Sequence, residues 1–343
     1  MHRKVMNWSK ACLLQQILSI NSQNYRFIPS NNIDTNQHFL QQALQRLEKY
    51  ENDRKTNQQI PNFLQNQNNS FRKKGKKYPI KIVDIACGRG GDTKKFTSES
   101  IVEMYLGIDI SQEQIKEATE RAKENRFLKN YEFILGDVGS ENWYTQIETQ
   151  SYDIAWCMFA FHYFCDTEFR CRNFFASASY LLKSKGKLTL TFPSPYAIYN
   201  ELNEVKETDS FQAEPPLCSV KFVPKNGEES FNKTIDECLE SFGIGYSFTL
   251  GDAVQDCEEY FVPLKRVISI ANEFGFSFIE EDQRSKYSSI QSMHEWIQEI
   301  CLNNENYLSL REIMQVTGQR SPGRNVSSEE WNAIGLYMCL TLV

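Results

Sequence analysis

An α/β fold built on a doubly wound, mostly parallel sheet is the class this sequence predicts. Three observations carry that reading. Short apolar runs ending in glycine or aspartate (KIVDIACG, MYLGIDI, YEFILGDV) recur from Tyr78 onward. Stretches of helical period stand between them. Strands alternating with helices give βαβ units and a sheet buried on both faces. The composition agrees, with 41% hydrophobic and 24% charged residues, ordinary for a globular protein.

Taken in order, the first strand is KIVDIACG, followed by DTKKFTSES, helical in part. MYLGIDI is the second strand, and SQEQIKEATERAKEN is the helix after it. Ser111 can cap that helix, Gln114 three residues later completes a capping box, and Ile115, Ala118 and Ala122 form its apolar stripe. YEFILGDV and YDIAWCMFAFHYF read as strands, EFRCRNFFASASYLL as a helix and GKLTLTF as a further strand. Positions 203–241 are polar and proline-interrupted, an insertion with short strands of its own such as SVKFV. The chain returns with FGIGYSFTL, a helical VPLKRVISIANEFGF and a closing strand, LYMCLTLV.

Two segments precede the sheet. Residues 1–20, MHRKVMNWSKACLLQQILSI, read as an amphipathic helix. Gln15 and Gln16 interrupt the apolar stretch and no small-residue cleavage site follows, so it is not read as a signal peptide. Residues 21–77 form an Asn/Gln-rich insertion, since twenty of the fifty positions 21–70 are Asn or Gln. Such a composition buries little apolar surface and predicts partial disorder. Within it, Phe39, Leu40, Ala43, Leu44, Leu47 and Tyr50 recur at helical spacing and predict one helix that docks. The cluster Arg72, Lys73, Lys74, Lys76 and Lys77 closes the segment. It is a solvated linker, a nuclear-import signal or a phosphate-attracting patch.

Charge and cysteine usage narrow the function. A formal net charge of -6 argues against a broad, sequence-blind grip on nucleic acid. It leaves room for a small basic channel into one pocket. The ten cysteines include no C-x-x-C and no Cys/His cluster at metal spacing, which reads as reduced thiols without a metal site. No run approaches the ~18 apolar residues of a membrane span.

The strongest local signal is DIACGRGGD, residues 84–92, set between a strand and a helix. Gly88, Gly90 and Gly91 allow a tight turn and close approach of a ligand to the backbone, and the helix start offers free N–H groups. The spacing departs from the dinucleotide fingerprint, whose last glycine would fall at Thr93. Asp109 ends the second strand twenty-one residues after Gly88, where a carboxylate suits the two ribose hydroxyls of an adenosine. Asp137 ends the third strand, in reach of an adenine amino group. Aspartate is poorly suited to strands, so Asp84, Asp109 and Asp137 at three successive strand ends point to a ligand. Ile110 and Val138, the next residues, join them as candidate cofactor contacts.

At this point the chain resembles the mRNA cap guanine-N7 methyltransferases. The blocks that carry the likeness are NWSKACLL, DIACGRGGD, CMFAFHYFC, TFPSPYAIYNEL, FGIGYSFTLGDAVQDCEEYFVPL and EEWNAIGLYMCL. Together they cover residues 3–18 and most of 78–343, with the Asn/Gln-rich insertion outside. The resemblance implies a class I methyltransferase with a Rossmann-like sheet and family-specific insertions, using S-adenosylmethionine. It implies an N-terminal helix that reaches the cofactor site, a methyltransferase domain over 78–343 and a cap-binding insertion around 203–262. The glycine turn would cradle the methionine end of the cofactor, with Asp84 facing its ammonium and Lys10 its carboxylate.

The acceptor would be N7 of the cap guanine, whose lone pair is free at neutral pH. No nucleophile or general base is then needed, only orientation and electrostatics. Glu259 could accept from guanine N1–H and the N2 amino group. Phe159, His162 and Tyr163 could stack on the base or close over the sugar, and Pro193 and Tyr337 match positions flanking the cap. Arg89 and Arg121, with Lys94, are candidates for the cap phosphates. The partners implied are the capped 5′ end of RNA and other capping enzymes, in the nucleus, with no membrane. The chain departs from the family pattern at Arg89 (a lysine in the family), Met158 (commonly Gln, at the cofactor) and Ser194 (usually Asn), as well as Ile85 and Ala86. A catalytically silent cap- or cofactor-binding subunit, or a small-molecule methyltransferase of this fold, are the competing readings.

Overall fold

The computed structural model describes residues 10, 14, 33–56, 79–96, 102–145, 147–203, 217–224, 230–251, 254–279, 289–302 and 328–343. The Asn/Gln tract after residue 56, the basic cluster and most of the N-terminal helix lie outside the described residues, as does part of the 203–241 insertion.

A seven-stranded sheet organises the molecule, in the order β3–β2–β1–β4–β5–β10–β9. Strands β1 (Ile80–Ile85), β2 (Val102–Asp109), β3 (Tyr131–Leu135), β4 (Tyr152–Cys157) and β5 (Leu182–Pro193) run parallel. Strand β10 (Tyr337–Leu342) lies antiparallel between β5 and β9 (Ile290–Ser292). The chain winds outward from β1 to β3 and then restarts at β4 on the other side of β1. The strand order therefore reverses between β1 and β4, which opens a crevice at their carboxyl ends. β1 is apolar on both faces, with Ile82, Val83 and Ile85 fully buried, as a central parallel strand must be.

The helices cover both faces. α2 (Gln112–Lys123) follows β2 and buries Ala118 and Ala122. α3 (Glu168–Leu181) buries Phe174, Phe175 and Leu181. The Ser111 hydroxyl caps α2 by accepting from the Gln114 N–H at 3.4 Å, but the expected capping box is not closed. The Gln114 side chain turns to the glycine loop, its Oε1 3.0 Å from where a Cβ on Gly88 would stand. The run YDIAWCMFAFHYF is not one strand either. β4 stops at Cys157, Phe159 takes φ +59, and a 3-10 turn covers Phe161–Phe164. Past that break Phe161 and Phe164 pack against Phe174, while the Tyr163 hydroxyl reaches Glu259.

β5 runs through Pro193 into α4 (Pro195–Asn203). A second, three-stranded antiparallel sheet follows: β6 (Cys218–Phe222), β7 (Gly245–Leu250) and β8 (Val254–Tyr260), with α5 (Ile235–Glu240) between β6 and β7. Its register pairs Tyr246 with Glu259 and Phe248 with Cys257, so Glu259 and Tyr246 share one face. α6 (Leu264–Glu273), α7 (Met293–Leu302) and α8 (Ser328–Gly335) complete the described fold.

The helix expected near residues 38–52 is longer, α1 (Ile33–Thr56). Its Leu44 and Leu47 are buried in the core shared with Val83 and Leu340. It packs on β9 and α4, and the Arg46 guanidinium donates to the Ile290 carbonyl.

Candidate functional site

The glycine turn after β1 is held from two sides. Gly88 and Gly90 take φ +53 and +68, which L side chains rarely adopt. A Cβ on Gly90 would stand 2.8 Å from the Ala118 Cα, so α2 is packed against bare backbone. The Asp109 carboxylate spans the crevice floor, accepting from the Gly88 N–H at 2.8 Å and the Ser111 N–H at 2.9 Å. Each oxygen keeps a lone pair for a further donor. Ile110, just beyond, is 67% exposed at the lip.

Asp84 is buried beneath the turn and accepts from the Tyr105 hydroxyl. Burial, then the nearby charge of Asp92, raises its pKa to about 7. Burial also opposes the charge on Asp92, but Lys10 and Lys95 outweigh it and hold that carboxyl low. Asp92 pairs with buried Lys95 and lies 3.8 Å from the Lys10 ammonium. That ammonium sits 5.3 Å over the Phe159 ring. Lys10 thus stands between the glycine turn and the second half of the site.

The second half is an aromatic cage around one carboxylate. Glu259 is 2% exposed. Its Oε2 accepts from the Tyr246 hydroxyl at 3.2 Å, and its Oε1 lies 3.3 Å from the Tyr163 hydroxyl. Burial, then the charge of Glu259, keeps both phenols protonated, so both can donate. The His162 Nε2 is also 3.3 Å from Oε1, yet out of line for a hydrogen bond. Both ring nitrogens of His162 are buried with no hydrogen-bond partner among the described residues. Phe159 meets Tyr337 edge-on at 4.8 Å, and Tyr337 pairs in register with Pro193. The strained Phe159 backbone is pinned by Thr191, whose Oγ1 accepts its N–H at 2.6 Å. Met158 is buried beside it, its sulfur 3.8 Å from the same hydroxyl.

Other expected site residues fall differently. The Asp137 carboxylate is forked by Arg170 at 2.8 and 3.2 Å and also accepts from the Gly139 N–H at 2.9 Å. It is committed to Arg170 of α3 and to its own loop rather than presented to an adenine. Val138 sends its side chain into the core at 3% exposure, so only its backbone is left for a ligand. Arg89 and Arg121 both reach Glu117 of α2, Arg89 at 3.4 Å, and Lys94 pairs with Glu124 at 2.6 Å. They line the outer flank of the turn as solvent-screened ion pairs, so exchange of a carboxylate for a phosphate would cost little. Tyr246, Thr191, Tyr105 and the Asp92–Lys95 pair were not singled out from sequence. Tyr246 was findable, since it alternates with Phe248 along β7 on the Glu259 face.

A parallel sheet with one reversed strand beside β5, a glycine turn at its switch point and carboxylates under and across that turn define a class I S-adenosylmethionine-dependent methyltransferase. The cradle fits that cofactor: bare backbone at Gly88 and Gly90, a buried carboxyl for an ammonium and a cation at Lys10 for a carboxylate. Within this class the chain belongs to the mRNA (guanine-N(7))-methyltransferase family, whose domain it matches over residues 34–343. Its relatives include mRNA cap guanine-N(7) methyltransferase 1 of Oryza sativa subsp. japonica, 28% identical over 269 residues, or 76% of this chain and 68% of that one. The protein of the same name in Arabidopsis thaliana is 28% identical over 274 residues, with the same coverage. The Saccharomyces cerevisiae mRNA cap guanine-N(7) methyltransferase is 28% identical over 225 residues, covering 63% of this chain and 50% of that one. The family match begins at residue 34. That range takes in helix α1 from its second residue onward.

Proposed function

We propose that Glu259 reads the cap guanine in a pocket walled by Phe159, His162, Tyr163, Pro193 and Tyr337, with N7 turned toward the cradle at Gly88 and Asp109. The observation that carries this reading is the cage itself: a buried carboxylate fed by Tyr163 and Tyr246, beside the buried imidazole of His162.

S-adenosylmethionine supplies an electrophilic methyl group on a sulfonium. Asp84 would take its ammonium, Lys10 its carboxylate and Asp109 its ribose hydroxyls, with Ile110 and the Val138 backbone beside the adenine and Met158 near the sulfur. Glu259 would accept from guanine N1–H and the N2 amino group, a donor pair adenine lacks. As the methyl arrives, guanine becomes cationic, and a fixed carboxylate at its edge stabilises that charge more than it stabilises the neutral base. The two tyrosine hydroxyls hold Glu259 in place, so little reorganisation is left for the reaction. Lys10 over Phe159 ties the two halves together. No residue has to move a proton, because N7 carries a free lone pair.

We place Arg89, Arg121 and Lys94 on the path of the cap phosphates and the enzyme in the nucleus. Its part in mRNA processing and the basic cluster at 72–77 support that placement. The test is to incubate the pure chain with methyl-labelled cofactor and RNA capped with unmethylated guanosine. Label on guanine N7 is expected. Tight cofactor binding with no transfer at high enzyme would instead mean a silent binding subunit.

A further inference from the structure

Helix α1 is joined to the Tyr337 wall through one imidazole. His294, on the first turn of α7, is 4% exposed and stacks on the Trp331 indole of α8 at 3.9 Å and 8°. Its Nε2 lies 2.6 Å from the Trp331 carbonyl oxygen. A carbonyl only accepts, so Nε2 carries the hydrogen. Nδ1 is then bare and accepts from the Tyr50 hydroxyl of α1. The bond from Tyr50 needs the neutral ring, and burial, together with the charge of Arg54, lowers its pKa to about 3. Arg54 is itself held by the buried Glu51 at 2.9 Å.

The end of α8 is fitted to this ring. A Cβ on Gly335 would stand 2.5 Å from the His294 Cε1 and 3.0 Å from the Arg54 Cδ. The next residue, Leu336, gives its carbonyl to the Ser194 N–H at 2.7 Å. Tyr337 follows, opposite Pro193 and against Phe159. An apolar triad could fill the same volume without the cost of burying polar groups. What the polar version adds is one fixed register between α1, α7 and α8.

We propose that Tyr50, His294 and Gly335 form a positioning network that sets where α8 ends, and through it where Tyr337 stands in the guanine pocket. Helix α1 thereby becomes part of acceptor recognition. This rests on the reading that Tyr337 walls the pocket, so that reading is tested alongside.

The experiment uses the full chain and the unmethylated cap dinucleotide GpppA. It measures kcat and KM for GpppA and Kd for the cofactor in Tyr50→Phe, Gly335→Ala and Tyr337→Ala. Tyr50→Phe removes one hydroxyl and Gly335→Ala crowds the ring, so at least one should fold. Each is expected to raise KM for GpppA about fivefold, the loss of roughly one buried hydrogen bond, with cofactor Kd within about twofold of wild type. Tyr337→Ala is expected to raise KM by more. If Tyr337→Ala raises KM while both other variants leave it unchanged, the network is only structural and the inference is overturned. Equal loss of cofactor affinity would overturn it too. If Tyr337→Ala itself leaves KM unchanged, the pocket reading fails and this inference fails with it.

Discussion

On the proposed reading, Glu259 concentrates guanine recognition into one side chain. A buried carboxylate with two phenolic donors gives up water only for partners that replace it. Glu259→Gln is expected to lower kcat/KM for GpppA by about a hundredfold or more, since the amide presents an N–H where guanine also presents one. Cofactor affinity, measured by calorimetry, should stay near wild type; an equal fall in both would make the residue structural. Asp84 makes a second expectation. Its pKa is raised to about 7 by burial and Asp92, so without cofactor it holds its proton below that value. An ammonium favours the ionised form. Cofactor affinity should therefore rise from about pH 6 to about pH 7.5, with proton release on binding, and Asp84→Asn should flatten the profile. By linkage, this group destabilises the cofactor-free fold as pH rises from its ordinary 3.8 to about 7. At this scale Asp84 and Asp109 were legible in the sequence as acids at strand ends. Asp137 sat in the same pattern, yet its carboxylate is forked by Arg170, thirty-three residues away. No local pattern announces a partner at that separation.

At the scale of elements, the glycine turn and helix α1 each make a claim. Gly90→Ala needs φ +68 and a Cβ 2.8 Å from the Ala118 backbone, so α2 must shift. The expected result is cofactor binding weakened by tenfold or more together with a lower Tm; binding at wild-type strength would mean the turn yields freely. Leu47 on α1 is 1% exposed. Leu47→Ala should cost about 2–5 kcal/mol and lower Tm by several degrees, whereas a helix merely appended to the domain would leave Tm in place. The helical period of α1 was readable from Phe39 through Tyr50. Its docking was harder to read, because the Asn/Gln-rich surroundings resemble a solvated insertion and the partners, Ile290 and His294, lie 244 residues away. The strand assigned across YDIAWCMFAFHYF erred for a related reason. Apolar periodicity continues past Cys157, and only the left-handed Phe159, pinned by Thr191 of β5, breaks the strand.

Over the whole molecule, two halves with different tasks meet at one switch point. The winding β1–β2–β3 carries the glycine turn, Asp84 and Asp109. The restart at β4, the reversed β10 and the small β6–β7–β8 sheet carry Phe159, Tyr337 and Glu259. The parallel sheet followed from the alternation of short apolar runs with helical stretches, and the family from ordered blocks such as EEYFVPL. The sequence could not show that a separate three-stranded sheet leans its Tyr246–Glu259 face over the crevice, since that depends on tertiary packing. The claim on which the account turns is that a carboxylate at this junction reads the guanine edge whose N7 is methylated. The most direct measurement compares kcat/KM for GpppA with that for IpppA, whose inosine lacks the N2 amino group, in wild type and Glu259→Ala. Wild type is expected to prefer guanosine by roughly tenfold or more, and the variant to lose both most of its activity and that preference. A wild-type enzyme indifferent to the amino group, or a variant that keeps the preference intact, would contradict it.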